Sequence, residues 1–194
     1  MAADGGIMAA VFSQPRTMLI SPLTHSPDQP PGLGAAAAPG GAVLAVNEAT
    51  GRQGRPETED LRRLLQYWDV QRGDRAFPRR QDIDPLDFWT MVDRVSLVEV
   101  HEGPRRYRLR LVGGFWNRLV GFEATGMWLE NWPHANQRKL TEESYAKLID
   151  GRVPRFVRRN TVVDYQSLNY EIVLLPLSED GSRISMIMAG IGQG

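Results

Sequence analysis

The sequence predicts an α+β fold: a five-stranded antiparallel sheet with helices on one face and an amphipathic helix ahead of it. Three observations lead there. Residues 106–112 alternate, with Tyr107, Leu109 and Leu111 on one side of a pleated strand and Arg106, Arg108 and Arg110 on the other. Gly113-Gly114 then lets the backbone leave the sheet, and Phe115 to Gly121 follows. That stretch is too short for an independent helix and too apolar for a free loop, so it lies against the sheet as a wall. The third observation is the order of elements, two strands, a helical middle and three strands, which suits an antiparallel sheet covered by helices.

Each element has its own signal. Residues 1–55 hold six prolines, eight glycines and eleven alanines with little periodicity, and such a segment buries too little apolar surface to offset its ordering entropy. Residues 1–56 are therefore expected to be a disordered leader, with the folded domain over 57–194. Thr58 is the N-cap of the first helix, expected over 58–72, because Glu59 and Asp60 place carboxylates at the positive end of its dipole. Leu61, Leu64, Leu65 and Trp68 recur at helical spacing, and Gly73 stops the helix. That apolar stripe docks on the domain's own sheet or forms a dimer or partner seam.

Asp84 caps a short turn with Pro85 at its first helical position. Arg94 to His101 reads as a strand joined to the alternating one by the turn Glu102-Gly103-Pro104, which makes a hairpin. Asn136 to Asp150 reads as a helix ending at Gly151, with Leu140, Tyr145, Leu148 and Ile149 buried. Strands are expected over residues 154–163, 168–177 and 183–190, the last two joined by Ser178-Glu179-Asp180-Gly181.

At 194 residues and 42% hydrophobic content the chain has room for one core and an appendage. The absence of cysteine excludes disulfides, thiolate metal sites and cysteine nucleophiles. With 23 basic and 23 acidic residues the formal net charge is zero, so no global field draws the chain to nucleic acid or a membrane. No run approaches the ~18 consecutive apolar residues of a membrane helix. Met1 to Ala10 lacks the basic start and apolar core of a secretory signal, which makes the cytoplasm the expected location.

The residues also carry a family resemblance. The element order resembles that of a PAS domain, and the wording is similar to a short bacterial PAS-like family of stand-alone proteins. The phrases are Tyr67-Trp68, Arg72-Gly73, Pro78, Arg79 and Asp82 to Pro85, then Arg110 to Gly113, Gly121 with Thr125-Gly126, and Leu175 to Gly181. Together they span about residues 60–190. Gly114 departs from the pattern, standing where the family usually has a small hydroxyl residue. The resemblance implies a PAS fold and a sensory or regulatory setting, with no agreed ligand or cofactor.

No nucleophile elbow, His-Glu-x-x-His motif or phosphate-cradling glycine loop occurs, and catalysis has no motif to rest on. Asp82 and Asp84 resemble a carboxylate pair but are placed to cap a turn. His134 lies close to where a PAS domain offers haem an axial ligand; the plainer reading is a surface or capping histidine. Trp116, Asn117, Trp128, Trp132 and Tyr145 are the candidate pocket, since aromatic-lined concavities with a few polar groups hold small ligands; the same aromatics also suit a solid core. Arg106, Arg108 and Arg110 form a candidate basic face, and Arg152, Arg155, Arg158 and Arg159 a second cluster. Such faces meet a phosphate-bearing ligand or an acidic partner, or are simply balanced by cross-strand carboxylates such as Glu171.

The expected function is a non-enzymatic regulatory module acting in trans, with no output domain in cis, through a protein partner or a homodimer. The alternative is a sensor binding haem or another small ligand.

Overall fold

The structure, a computed structural model, describes residues 46–49, 56–163 and 166–193. In chain order its elements are β1 (Val46–Ala49), α1 (Glu59–Arg72), β2 (Val95–Val100), β3 (Tyr107–Leu111), α2 (Gly114–Val120), α3 (Ala135–Gly151), β4 (Arg155–Val163), β5 (Gln166–Leu177) and β6 (Met186–Gln193). Short 3-10 helices occupy Arg80–Asp82, Pro85–Arg94 and Leu129–Asn131. The strands form one antiparallel sheet in the order β1-β4-β5-β6-β2-β3. The α+β class and the five expected strands are all present. A sixth, β1, lies inside the stretch expected to be leader and pairs with β4 from Val46↔Thr161 to Ala49↔Arg158. The leader's other residues up to 55 lie outside the described residues.

Helix α1 starts at Thr58, whose extended backbone and carbonyl close the first turn on the Arg62 N–H, and ends at Gly73, φ 55°. Its apolar stripe is used within the molecule. Leu61, Leu64 and Trp68 are buried, Leu65 is packed against the core, and the Trp68 indole N–H donates to the Pro176 carbonyl at 2.9 Å. Each such side chain contributes about 1.5–3 kcal/mol by leaving water. Of the two roles expected for the stripe, docking on its own sheet is the one realised; the exposed seam at Leu61, Leu64, Leu65 and Trp68 is not.

Two glycines admit α1. A Cβ on Gly190 would lie 2.4 Å from Leu64 Cδ2, and one on Gly192 2.4 Å from Thr58 Oγ1. Neighbouring residues on a strand point to opposite faces, so Gly190 and Gly192 face α1 while Ala189 and Ile191 face the other way, toward α3. The sheet is thus covered by α1 on one face and by α2 and α3 on the other. Gly190 marks the expected end of the last strand, yet β6 runs on to Gln193. Its start is also three residues late, because Asp180 Oδ1 accepts the Ser182 and Arg183 N–H groups, both at 2.8 Å, and holds that segment as a loop. These bonds depress the Asp180 carboxyl well below its usual range.

Glu171 ties α1 to the sheet. Its Oε2 accepts the Glu57 N–H at 2.9 Å, the Thr58 N–H at 3.0 Å and the Thr58 hydroxyl at 3.1 Å. Its Oε1 accepts Nε of Arg158, its register partner on β4, at 3.0 Å. Burial works to raise the Glu171 pKa, but the bonds from Thr58, Arg158 and Glu57 outweigh it and the net shift is downward. The expected turn caps are realised too: Asp84 Oδ1 accepts the Leu86 N–H at 2.9 Å, and Asp82 Oδ2 accepts the Arg79 N–H at 2.8 Å and pairs with Arg75 at 2.7 Å. Helix α3 ends as expected at Gly151, but the residue in the left-handed region is Arg152, φ 54°, whose guanidinium donates to the Ser182 carbonyl at 2.7 Å.

Gly113 and Gly114 divide the turn after β3 unequally. Gly113 has ordinary backbone angles, φ −61° and ψ 143°, so it is there for space: a Cβ would lie 2.2 Å from the Asp93 carbonyl oxygen and 2.8 Å from that of Val95. At Gly114 a Cβ meets only the mobile end of Arg118, at 3.2 Å. Denaturant titration is expected to show Gly113→Ala less stable by about 2–3 kcal/mol, the cost of overpacking against backbone. Gly114→Ser should stay within about 0.5 kcal/mol of the parent.

A second prediction concerns Glu171. Its folded-state pKa is lowered, so the stability it adds is complete above the unfolded value, near ~4.3, and is lost as pH falls through the folded value. Glu171→Gln is expected to lower stability by about 1–2 kcal/mol at pH 7. The gap between variant and parent should narrow progressively below pH ~4. A gap of equal size at pH 7 and pH 3 in urea titrations would rule this account out.

Candidate ligand-binding cavity

Between the sheet and helices α2 and α3 lies a cavity of about 70 Å³. Its floor is the face of the sheet turned away from α1, including Ser96, Val98, Val157, Ile172 and Leu174. Trp116 of α2 and Trp132 close one side, their rings stacked with centroids 6.5 Å apart. Helix α3 contributes Gln137, Thr141, Ser144 and Tyr145, a run whose i, i+4, i+7, i+8 spacing sets all four on one helical face. Most of the lining is apolar, with a few buried polar groups among it.

Three of the five expected pocket residues, Trp116, Trp132 and Tyr145, meet at this cavity. Tyr145 is buried edge-on to Tyr107, with ring centroids 5.1 Å apart, and burial pushes its phenol up to about 12 against the opposing pull of the Arg159 charge. Asn117 and Trp128 do not line it. Asn117 joins α2 to the following loop, its amide donating to the Val112 carbonyl at 3.4 Å and its carbonyl accepting the Ala124 N–H at 3.1 Å. Trp128 belongs to the outer side of β3, where its ring packs on His101 at 5.0 Å and lies under the guanidinium groups of Arg105 and Arg108 at 5.6 and 6.0 Å.

The expected basic face is balanced by carboxylate. Arg110 donates to Glu99 Oε1 at 2.8 Å, Arg108 lies 4.0 Å from Oε2, and His101 lies 3.2 Å from Oε2. Burial tends to raise the Glu99 pKa, but the bonds from Arg110 and His101 prevail and lower it. Arg106 stands apart, its guanidinium over the Tyr107 ring at 5.5 Å.

The second arginine cluster separates by strand alternation. Arg158 faces α1, where it meets Glu57 and Glu171; Arg159 points into the cavity and is only 3% exposed. Arg159 donates to Thr141 Oγ1 at 3.0 Å and to Ser144 Oγ at 3.3 Å, and its Nε–H has no acceptor among the described residues. Its register partner Tyr170 brings a hydroxyl to the same face that also has no hydrogen-bond partner of good geometry. Gln137 Oε1 accepts the Trp132 indole N–H at 2.8 Å. Gln137, Thr141, Ser144, Arg159 and Tyr170 were outside the expected pocket, although the adjacency of Arg158 and Arg159 on one strand already requires that one of them turn inward.

His134 precedes α3 as its N-cap and is not among the lining residues, so the cavity offers haem no imidazole; its volume also holds only a handful of atoms. Among the described residues no group of three or more His, Asp or Glu side chains is placed to hold a metal ion, and no helix is long and apolar enough to cross a membrane.

A PAS-domain family model matches residues 57–190, which runs from the cap of α1 to Gly190 on β6. The chain belongs to the PAS-domain family. A comparison with curated proteins gives no match. PAS domains are in general sensory or regulatory modules rather than catalysts, and in this PAS domain α2, α3 and the inner sheet face line the cavity just described.

Proposed function

We propose that this PAS domain is a non-enzymatic sensor whose signal is a small molecule held in the cavity between the sheet and α3. The observation that carries the reading is the lining itself: a mostly apolar, partly open space into which one helical face and one strand deliver Gln137, Thr141, Ser144 and Arg159, three of them buried. Apolar walls with a few convergent polar groups are the usual composition of a small-molecule site, since the walls supply affinity and the polar groups orientation. At about 70 Å³ the cavity selects for a ligand far smaller than a nucleotide or flavin. Trp116 and Trp132 stand in its wall, so occupancy is expected to change tryptophan emission. Protein isolated natively should release a small organic molecule on denaturation, scored by mass spectrometry, and refilling should restore the emission. Protein that carries nothing and whose emission answers to no small metabolite would refute the reading.

Output through protein association, with a second copy of the chain as the occupant, is supported by a different observation. The 3-10 helix Pro85–Arg94 places Leu86, Trp89 and Val92 at 76%, 70% and 43% exposure. The segment is kinked at Phe88, φ −133°; after the kink, three residues per turn put Trp89 and Val92 on one face, while Phe88 and Met91 are buried. The helix ends at Arg94, which lines the cavity, so one element reaches both the ligand site and the surface. Light scattering is expected to show self-association that Trp89→Ser abolishes without loss of fold; a monomer at all concentrations would count against this stripe as the output surface.

A further inference from the structure

Arg159 is the one feature of the cavity that packing does not account for. A guanidinium at 3% exposure has left water, and a buried charge is costly unless it is paired and its donors are satisfied. Its Nη groups donate to the neutral hydroxyls of Thr141 and Ser144 and lie beside that of Tyr170, its Nε–H has no acceptor among the described residues, and it makes no ion pair with a side chain that the structure describes. The contrast with its sequence neighbour is direct, because Arg158 has Glu57 and Glu171. The other cation on the cavity, Arg94, already has Asp60 at 3.8 Å. Across the strand pair, the Tyr170 hydroxyl stands beside Arg159 and Gln137 without a hydrogen bond of good geometry.

We infer that the cavity is an anion site, and that its ligand is a small carboxylate with Arg159 as counter-charge. This rests on the small-molecule reading above and gives it a chemical class. A carboxylate matches the planar guanidinium and completes its free donor. The rest of the lining, including Val98, Leu109, Val157 and Leu174, calls for an apolar tail, which separates a short carboxylic acid from a wholly polar anion such as phosphate. Size keeps the ligand small: about 70 Å³ takes a handful of non-hydrogen atoms, which makes short-chain acids the class to test.

Calorimetric titration of the full chain with acetate, propionate, butyrate and pyruvate, against propionamide, butyramide and inorganic phosphate, tests this. The acids are expected to bind and to raise the melting temperature by mass action, with the amides at least about 30-fold weaker. Arg159→Gln, verified as folded by circular dichroism, should lose the acids by a similar factor, and Arg159→Lys should retain part of the binding because it keeps the charge without the fork. Should Arg159→Gln not fold, the acid-to-amide ratio in the parent protein decides alone. Amides binding as well as acids, phosphate binding in their place, or acids binding Arg159→Gln undiminished would each overturn the carboxylate inference and leave a small-molecule sensor standing. No response to any probe, together with nothing carried by natively isolated protein, would remove both.

Discussion

The structure depends on one sheet having to serve two faces at once. Consecutive residues of a strand point to opposite sides, so each of β4, β5 and β6 contributes alternately to the seat of α1 and to the cavity floor. On β6 the α1 side is cleared by Gly190 and Gly192 while Ala189 and Ile191 face the cavity. On β5, Val173 and Leu175 are wholly buried on the α1 side, while Ile172 and Leu174 line the cavity. On β4 the division falls between Arg158 and Arg159. A one-residue slip of any of these strands would exchange its two sets, and on β4 it would bury Arg158 among the tryptophans.

This division explains why the two arginines differ so much in environment. On the α1 side the cation is half-exposed and meets two carboxylates, one of which also caps the N-terminus of the helix. On the cavity side the cation is enclosed by Trp116, Trp132, Tyr145 and aliphatic side chains, with hydroxyls and an amide for company. A buried charge in such a setting is costly to stability unless it is paired and its donors are satisfied.

Much of the fold was legible in the sequence because local signals and the global pattern agree. Thr58 with Glu59 and Asp60, the stripe from Leu61 to Trp68, Gly73 and the Asp84-Pro85 cap each specify an element, and each is found; the alternation of β3 holds for Tyr107 and Leu109 but breaks at a bulge that leaves Leu111 exposed. Glycine is where the sequence misleads. Gly190 and Gly192 carry the composition of a strand end, yet they lie within β6 because a helix from far earlier in the chain needs the room; such a requirement is tertiary and leaves no local mark. Gly113 likewise is needed for the closeness of Asp93 and Val95, while the turn itself has ordinary angles. The site was half legible for a related reason. Aromatics advertise a pocket by their size, whereas Gln137, Thr141 and Ser144 look like an ordinary polar helix face until α3 is laid on the sheet.

Arg158 and Arg159 finally place the ligand face and the anchorage of α1 on adjacent residues. Glu171 holds Arg158 with one carboxylate oxygen and the first N–H groups of the α1 cap with the other. Arg159 stands opposite Tyr170, and Arg158 opposite Glu171, in consecutive pairs of the β4–β5 register. A displacement of the β4 backbone large enough to reposition the Arg159 guanidinium moves Arg158 with it and bears on the carboxylate that caps the helix. Packed interiors are stiff and offer discrete arrangements rather than graded ones, so a charge taken up at Arg159 and a helix secured at Glu171 share a mechanical connection of two residues. That shared pair of register positions links the inner face of the sheet to the helix seated on its other face.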